Sequence, residues 1–151
     1  MTPLDDADQL CFEAALREAR EGLEQGGVPV GAALQHQGAL LAVGRNERVQ
    51  KGDAIAHGEM SCLRNAGRQS SYRDMTLYTT LSPCEMCTGA ILLFGIKRLV
   101  VGEAVTFAGD LGVFKRRGIE VVLLDDSRCR DLMEEFQRRH PQVWAEDIGE
   151  G

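Results

Sequence analysis

Thr76-Leu77-Tyr78-Thr79-Thr80-Leu81-Ser82-Pro83-Cys84-Glu85-Met86-Cys87 is the stretch that decides the fold. Residues 76–80 are β-branched and aromatic around one leucine, the composition of a strand. Ser82-Pro83-Cys84-Glu85 then reads as a helix start. Ser82 is placed to be the N-cap, Pro83 the first helical residue and Glu85 the third, a capping box. The helix is expected to run to Phe94 and stop at Gly95. A second apolar strand follows at 99–101, so the segment spells strand, helix, strand.

The flanks extend that pattern. Phe12, Leu16, Ala19 and Leu23 fall at helical spacing, with Asp8 as the expected N-cap and Gly26-Gly27 as the stop. Residues 28–34 and 39–43 are short apolar runs around Gln35-His36-Gln37-Gly38, which predicts a hairpin. Residues 57–66 read as a helix ending at Gly67, and 119–124 as a strand. Cys129, Met133 and Phe136 share one face of a last helix, closed by His140-Pro141. Strands alternating with helices predict an α/β fold, a three-layer α/β/α sandwich. Its central sheet is mixed, of about five strands, with the strands after the hairpin parallel.

Length and composition narrow the function. The chain has 151 residues, 44% hydrophobic and 26% charged, the profile of one ordinary globular domain spanning 1–151. No apolar run is long enough to span a bilayer, and the N-terminal residues lack a basic leader pattern, so a cytoplasmic location is expected. The net charge is −6. A polyanionic partner needs clustered Lys and Arg, and the runs around Lys115-Arg116-Arg117 and Arg128–Arg139 are interleaved with acids or short, so nucleic acid is not expected. Five cysteines, an odd number, do not suggest a disulfide framework.

Two of those cysteines carry chemistry. Cys84 and Cys87, three apart on one helix face, are able to hold a single ion. Both lie in the first turn, where free N–H groups and the helix dipole favour thiolate. His57 opens another helix and offers a third donor. Three protein ligands leave one tetrahedral position for water, the arrangement of a catalytic zinc. Glu59, two residues from His57, is then placed to move protons. A closed structural site would need a fourth ligand from Cys62, His36 or His140. Cys62 lies about 140° around the helix from His57 and points elsewhere. A redox Cys-x-x-Cys would leave His57-Gly58-Glu59 unexplained.

His57-Gly58-Glu59 followed by Pro83-Cys84-Glu85-Met86-Cys87 resembles the cytidine-deaminase superfamily of zinc enzymes. Within it, Gly26-Gly27-Val28-Pro29, Gln50-Lys51-Gly52, the run from Thr79 to Ala90 and Asp147-Ile148-Gly149-Glu150 resemble the yeast-type cytosine deaminases, over about 12–150. The resemblance implies one zinc per chain on His57, Cys84 and Cys87, with Glu59 catalytic. It implies substrate contacts from Asn46, Asp147, Phe107, Trp144, Leu81, Val30, Ser82 and Gly58. Asn46 would meet the polar edge of the base, Asp147 its exocyclic amine, and Phe107 and Trp144 would cover the ring. Without the resemblance, Asn46 reads as a turn residue, Asp147 as one acid of a solvated tail, and the apolar residues as core. Two departures stand out: Ala145 where the pattern carries an aromatic residue, and Met60 where it carries isoleucine.

The expected activity is hydrolytic deamination of a small free nucleobase, cytosine to uracil plus ammonia. Isocytosine, guanine or a creatinine-like ring are the nearest alternatives. A tRNA adenosine deaminase and a zinc-stapled binding module stand further off. A homodimer is implied by the resemblance alone.

Overall fold

A computed structural model of the chain describes residues 4–151. The elements run α1 (Asp6–Glu24), β1 (Gly31–His36), β2 (Ala39–Arg45), α2 (Arg48–Lys51), α3 (Gly58–Ala66), β3 (Met75–Leu81), α4 (Glu85–Phe94), β4 (Arg98–Glu103), α5 (Leu111–Arg116), β5 (Glu120–Leu123), α6 (Ser127–Arg139) and α7 (Pro141–Asp147). The five strands form one sheet in the order β2-β1-β3-β4-β5. β1 is antiparallel to β2 and β3, whereas β3, β4 and β5 are parallel. The mixed five-strand sheet is the one the sequence predicts.

Alternation along the central strands fills a layer on each face. Leu77, Leu99 and Val101 point to the layer of Cys62, Leu63, Ile91 and Phe114, which belong to α3, α4 and α5. Ala33, Tyr78, Val100 and Val122 point to Phe12, Leu16 and Cys129, on α1 and α6. All seven residues of β3 are buried, as a central strand covered on both faces requires. A third cluster, with Val30, Leu81, Phe136 and Trp144, gathers beyond the strand ends and frames the site.

Two glycines carry specific constraints. The hairpin turns at Gln37 and Gly38, both at positive φ, 53° and 82°, the two-residue geometry whose twist matches the flanking strands. A side chain on Gly44 would put its Cβ 2.2 Å from the Cys62 amide nitrogen, so the bare backbone lets α3 lie against β2.

Three expectations are corrected. The first helix is capped by Asp5, whose carboxylate accepts from the Asp8 amide at 2.7 Å while Asp8 accepts from the Asp5 amide at 3.1 Å. Asp8 is therefore the third helical residue, and its carboxylate also binds Arg98 at 2.6 Å. Ser82 does not cap α4. Its hydroxyl donates to the Ala108 carbonyl at 2.9 Å, the helix begins at Glu85, and Cys84 is the N-cap. A thiol pointed at a metal cluster cannot cap, and α4 has no side-chain cap bond. Beyond His140, the stretch read without the resemblance as a solvated tail contains a helix, α7, with Pro141 at its first position.

Candidate active site

The site begins with two helix starts brought side by side at one end of the sheet. His57 is the N-cap of α3 and Cys84 the N-cap of α4, and neither side chain caps its own helix. Both side chains are instead free to turn inward. His57 Nδ1 lies 3.4 Å from Cys84 Sγ and 3.9 Å from Cys87 Sγ. Tetrahedral zinc with its usual bond lengths needs N···S and S···S separations of roughly 3.6–3.8 Å. The three donors, all within 4.8 Å of one another, fit zinc without rearrangement.

The charges prepare this cluster. Hydrogen bonding from the Cys87 thiol, opposed by burial and aided by His57, pushes Cys84 down to about 4. Cys87 is pushed up because Cys84 holds the shared negative charge beside it. Burial pulls the His57 imidazole down, but its bond to the Cys84 thiolate and the nearby Asp147 carboxylate push it up to about 9. One donor, Cys84, is thus already a thiolate, and an incoming dication displaces the protons that His57 and Cys87 still carry.

The alternatives for a fourth protein ligand find no support in the geometry. The Cys62 thiol faces the Ala42 carbonyl at 3.5 Å. His36 ends β1 and His140 is exposed between α6 and α7. Among the described residues, the only such cluster is His57, Cys84 and Cys87.

A cavity lies next to the cluster. Every residue expected at the substrate lines it: Val30, Asn46, Gly58, Leu81, Ser82, Phe107, Trp144 and Asp147, beside His57, Glu59 and Cys84. Glu59 is 3% exposed, and burial, reinforced by the Cys84 charge, pushes its carboxyl up to about 7. A group with such a value is able both to take and to give a proton near neutrality. Asn46, 1% exposed, accepts the Arg48 amide on Oδ1 and donates from Nδ2 to Asp147 Oδ1, both at 3.0 Å. The same Asp147 oxygen lies 3.4 Å from His57 Nε2. His57 thus faces the sulfurs with one ring nitrogen and Asp147 with the other, so the acid orients the imidazole. Burial raises the Asp147 carboxyl, with His57 and Asn46 opposing the shift.

Ile148 also lines the cavity and was missed in the sequence reading. Its signal was present, since Trp144, Asp147 and Ile148 stand at helical spacing after a proline. Ala145 and Met60, the two departures, are half-buried and do not line the cavity.

Comparison with known proteins agrees with the geometry. The profile of the cytidine and deoxycytidylate deaminase zinc-binding region matches residues 5–103. A cytosine deaminase from Candida albicans is 50% identical over 146 residues, 95% of this chain and 97% of that protein. A structure from work on A-to-I editing by tRNA:A34 deaminases superposes with a TM-score of 0.71 at 30% identity, over 82% of this chain and 99% of that one. The guanine deaminase from Nitrosomonas europaea shares the fold, with a TM-score of 0.73 at 23% identity over 91% of this chain and 87% of that one. With a matching profile over more than half its length and a metal cluster built to its pattern, the chain belongs to the cytidine and deoxycytidylate deaminase family of zinc-binding proteins.

Proposed function

We propose that the protein deaminates a free nucleobase by hydrolysis, converting cytosine to uracil and ammonia. The observation that carries this reading is the Asn46–Asp147 pair, which lines one cavity with His57, Glu59, Trp144 and Ile148. The 50% identity to a cytosine deaminase, over 95% of this chain, supports the same substrate.

In this reading the ring lies between Phe107 and Trp144, against Leu81 and Val30. Asn46 keeps one Nδ2 hydrogen beyond its bond to Asp147, and offers it to the polar edge of the base. Asp147 keeps Oδ2 to accept from the exocyclic amine, and the Ser82 carbonyl guides the same amine. Zinc, when bound, makes water nucleophilic near neutral pH by lowering its pKa to about 7. Glu59 takes one proton from the attacking water and delivers it to ring N3, then takes the second from the new C4 hydroxyl and gives it to the amine as the C–N bond breaks. Gly58 has no side chain, and a Cβ there would come within 2.9 Å of the Val30 carbonyl, so it keeps that wall close.

Polynucleotide substrates fit poorly. The mouth of the cavity carries Glu85, Glu146 and Asp147, and the whole chain is acidic at −6, the opposite of a phosphate-binding surface. We further read the protein as a homodimer, with α4 as the meeting face because it leaves Leu93 80% exposed; light scattering of the purified protein tests this. A cytoplasmic location fits the five cysteines, all free.

The deciding experiment is a pair of ultraviolet assays of the zinc-loaded protein, with cytosine and with isocytosine, each followed to uracil. Cytosine turnover is expected. Turnover of isocytosine alone would keep the zinc chemistry but reverse the base in the cavity. Turnover of neither, with zinc bound, would sink the free-pyrimidine reading.

A further inference from the structure

The loop between β4 and α5 carries Phe107 over the cavity, and a buried acid outside the proton transfer sets its course. Glu103, the last residue of β4, has no solvent exposure. Its Oε2 accepts from the Val105 amide at 2.8 Å and from the Thr106 amide at 2.9 Å. Its Oε1 is buried with no hydrogen-bond partner among the described residues. Taking a carboxylate out of water with half its lone pairs unmet is unfavourable, so stability does not account for this residue.

Its neighbours indicate what it serves. The Glu103 carbonyl accepts from the Ser82 amide at 2.9 Å, two residues before Cys84. At the far end of the same loop, the Ser82 hydroxyl donates to the Ala108 carbonyl, also at 2.9 Å. Phe107 is therefore held between two fastenings, one at the amides of 105 and 106 and one at the carbonyl of 108. Phe107 borders both the cavity and its mouth. An exposed loop, with Val105 at 74% exposure, has little packing of its own to fix the ring.

We propose that Glu103 is the positioning residue of this loop, its carboxylate fastening the Val105 and Thr106 amides so that the Phe107 ring stays over the seated base. This rests on the nucleobase reading above. The fastening needs an acceptor oxygen at the end of a two-carbon arm and does not need a charge. Glutamine supplies that oxygen. Aspartate is one methylene short, and alanine has nothing to offer.

The test compares zinc-loaded wild type with Glu103→Gln, Glu103→Asp and Glu103→Ala, by amide hydrogen exchange and by steady-state kinetics on cytosine. In the Asp and Ala variants the Val105 and Thr106 amides should exchange about tenfold faster, the upper end of what losing one hydrogen-bond acceptor costs. KM should rise by about tenfold with kcat less affected, because a ring that seats the base is lost while the proton path stands. Zinc content should not change, and the Gln variant should stay within about threefold of wild type in both readouts. Unchanged exchange in the Asp and Ala variants overturns the proposal, and so does faster exchange with unchanged KM. A Gln variant as impaired as Ala overturns the acceptor argument. If Ala does not fold, the Asp variant carries the same comparison. Wild type that turns over no free base defeats the nucleobase reading instead, and the exchange rates still decide whether Glu103 fastens the loop.

Discussion

The two ends of the cavity are built in different ways. The metal end comes from one stretch of chain, with His57, Cys84 and Cys87 at the starts of α3 and α4. Each ligand is fixed by a helix packed on the sheet through Cys62, Leu63 and Ile91. The other end is gathered from Asn46 after β2, Leu81 at the end of β3, Phe107 on a loop, and Trp144 and Asp147 on α7. It is joined by single hydrogen bonds such as Asn46 to Asp147. The metal end therefore resembles a scaffold and the substrate end a cover. In the proposed function, the metal and proton chemistry belongs to the first and choice of base to the second.

The sharpest way to separate the two ends is Glu59→Ala. It should keep zinc at the wild-type level and lose turnover by roughly 10²–10⁴-fold, the usual range for a missing proton shuttle. Metal analysis beside the ultraviolet assay checks this, and retained turnover would end the proton-shuttle role. Truncation after Arg139 removes the cover itself. The shortened chain should still bind zinc, because His57, Cys84 and Cys87 all precede the cut, while kcat/KM falls at least about 100-fold from lost positioning. Full activity in that chain would erase the distinction drawn here.

A smaller effect tests the ground common to both ends. Asp8 is 2% exposed. Burial raises its carboxyl, but bonds from Arg98 and Tyr78 outweigh that and hold it below its ordinary 3.8. A carboxyl lowered on folding adds stability that is complete above the unfolded value and is lost as pH falls through the folded one. Asp8→Asn should therefore cost about 3 kcal/mol near neutrality, the loss of one partner from a buried pair. The gap between the two urea midpoints should narrow as the pH is taken below 3.8. A gap that stays constant through that window would mean the charge of Asp8 contributes nothing. Neither zinc content nor KM should respond.

The same division explains what the sequence disclosed. His57, Glu59, Cys84 and Cys87 were legible because metal chemistry demands particular residue types at helical spacing. The sheet order was legible from the hairpin and the strand–helix–strand run. Ser82 misled because Ser-Pro-x-Glu is a strong local cap signal, yet its hydroxyl has a tertiary partner in Ala108. The Asp8 assignment failed by three residues, since Asp5 and Asp8 are both acids able to cap. Asn46 and Asp147 were legible only through resemblance. They lie 101 residues apart, and nothing local in either residue shows that they meet. Glu103 gave no signal at all, because a glutamate after a strand reads as solvent-facing.

That separation along the chain also sets an order of assembly. His57 and Cys84 are 27 residues apart, whereas Asn46 and Asp147 are 101 apart. Closing the longer loop costs about 1.2 kcal/mol more in chain entropy. It also has to wait for Asp147 to leave the ribosome, at about 5–20 residues per second. A nascent chain thus possesses every metal ligand well before it possesses Trp144 and Asp147. The donors for the metal are made first, and the acid proposed to hold the base follows them.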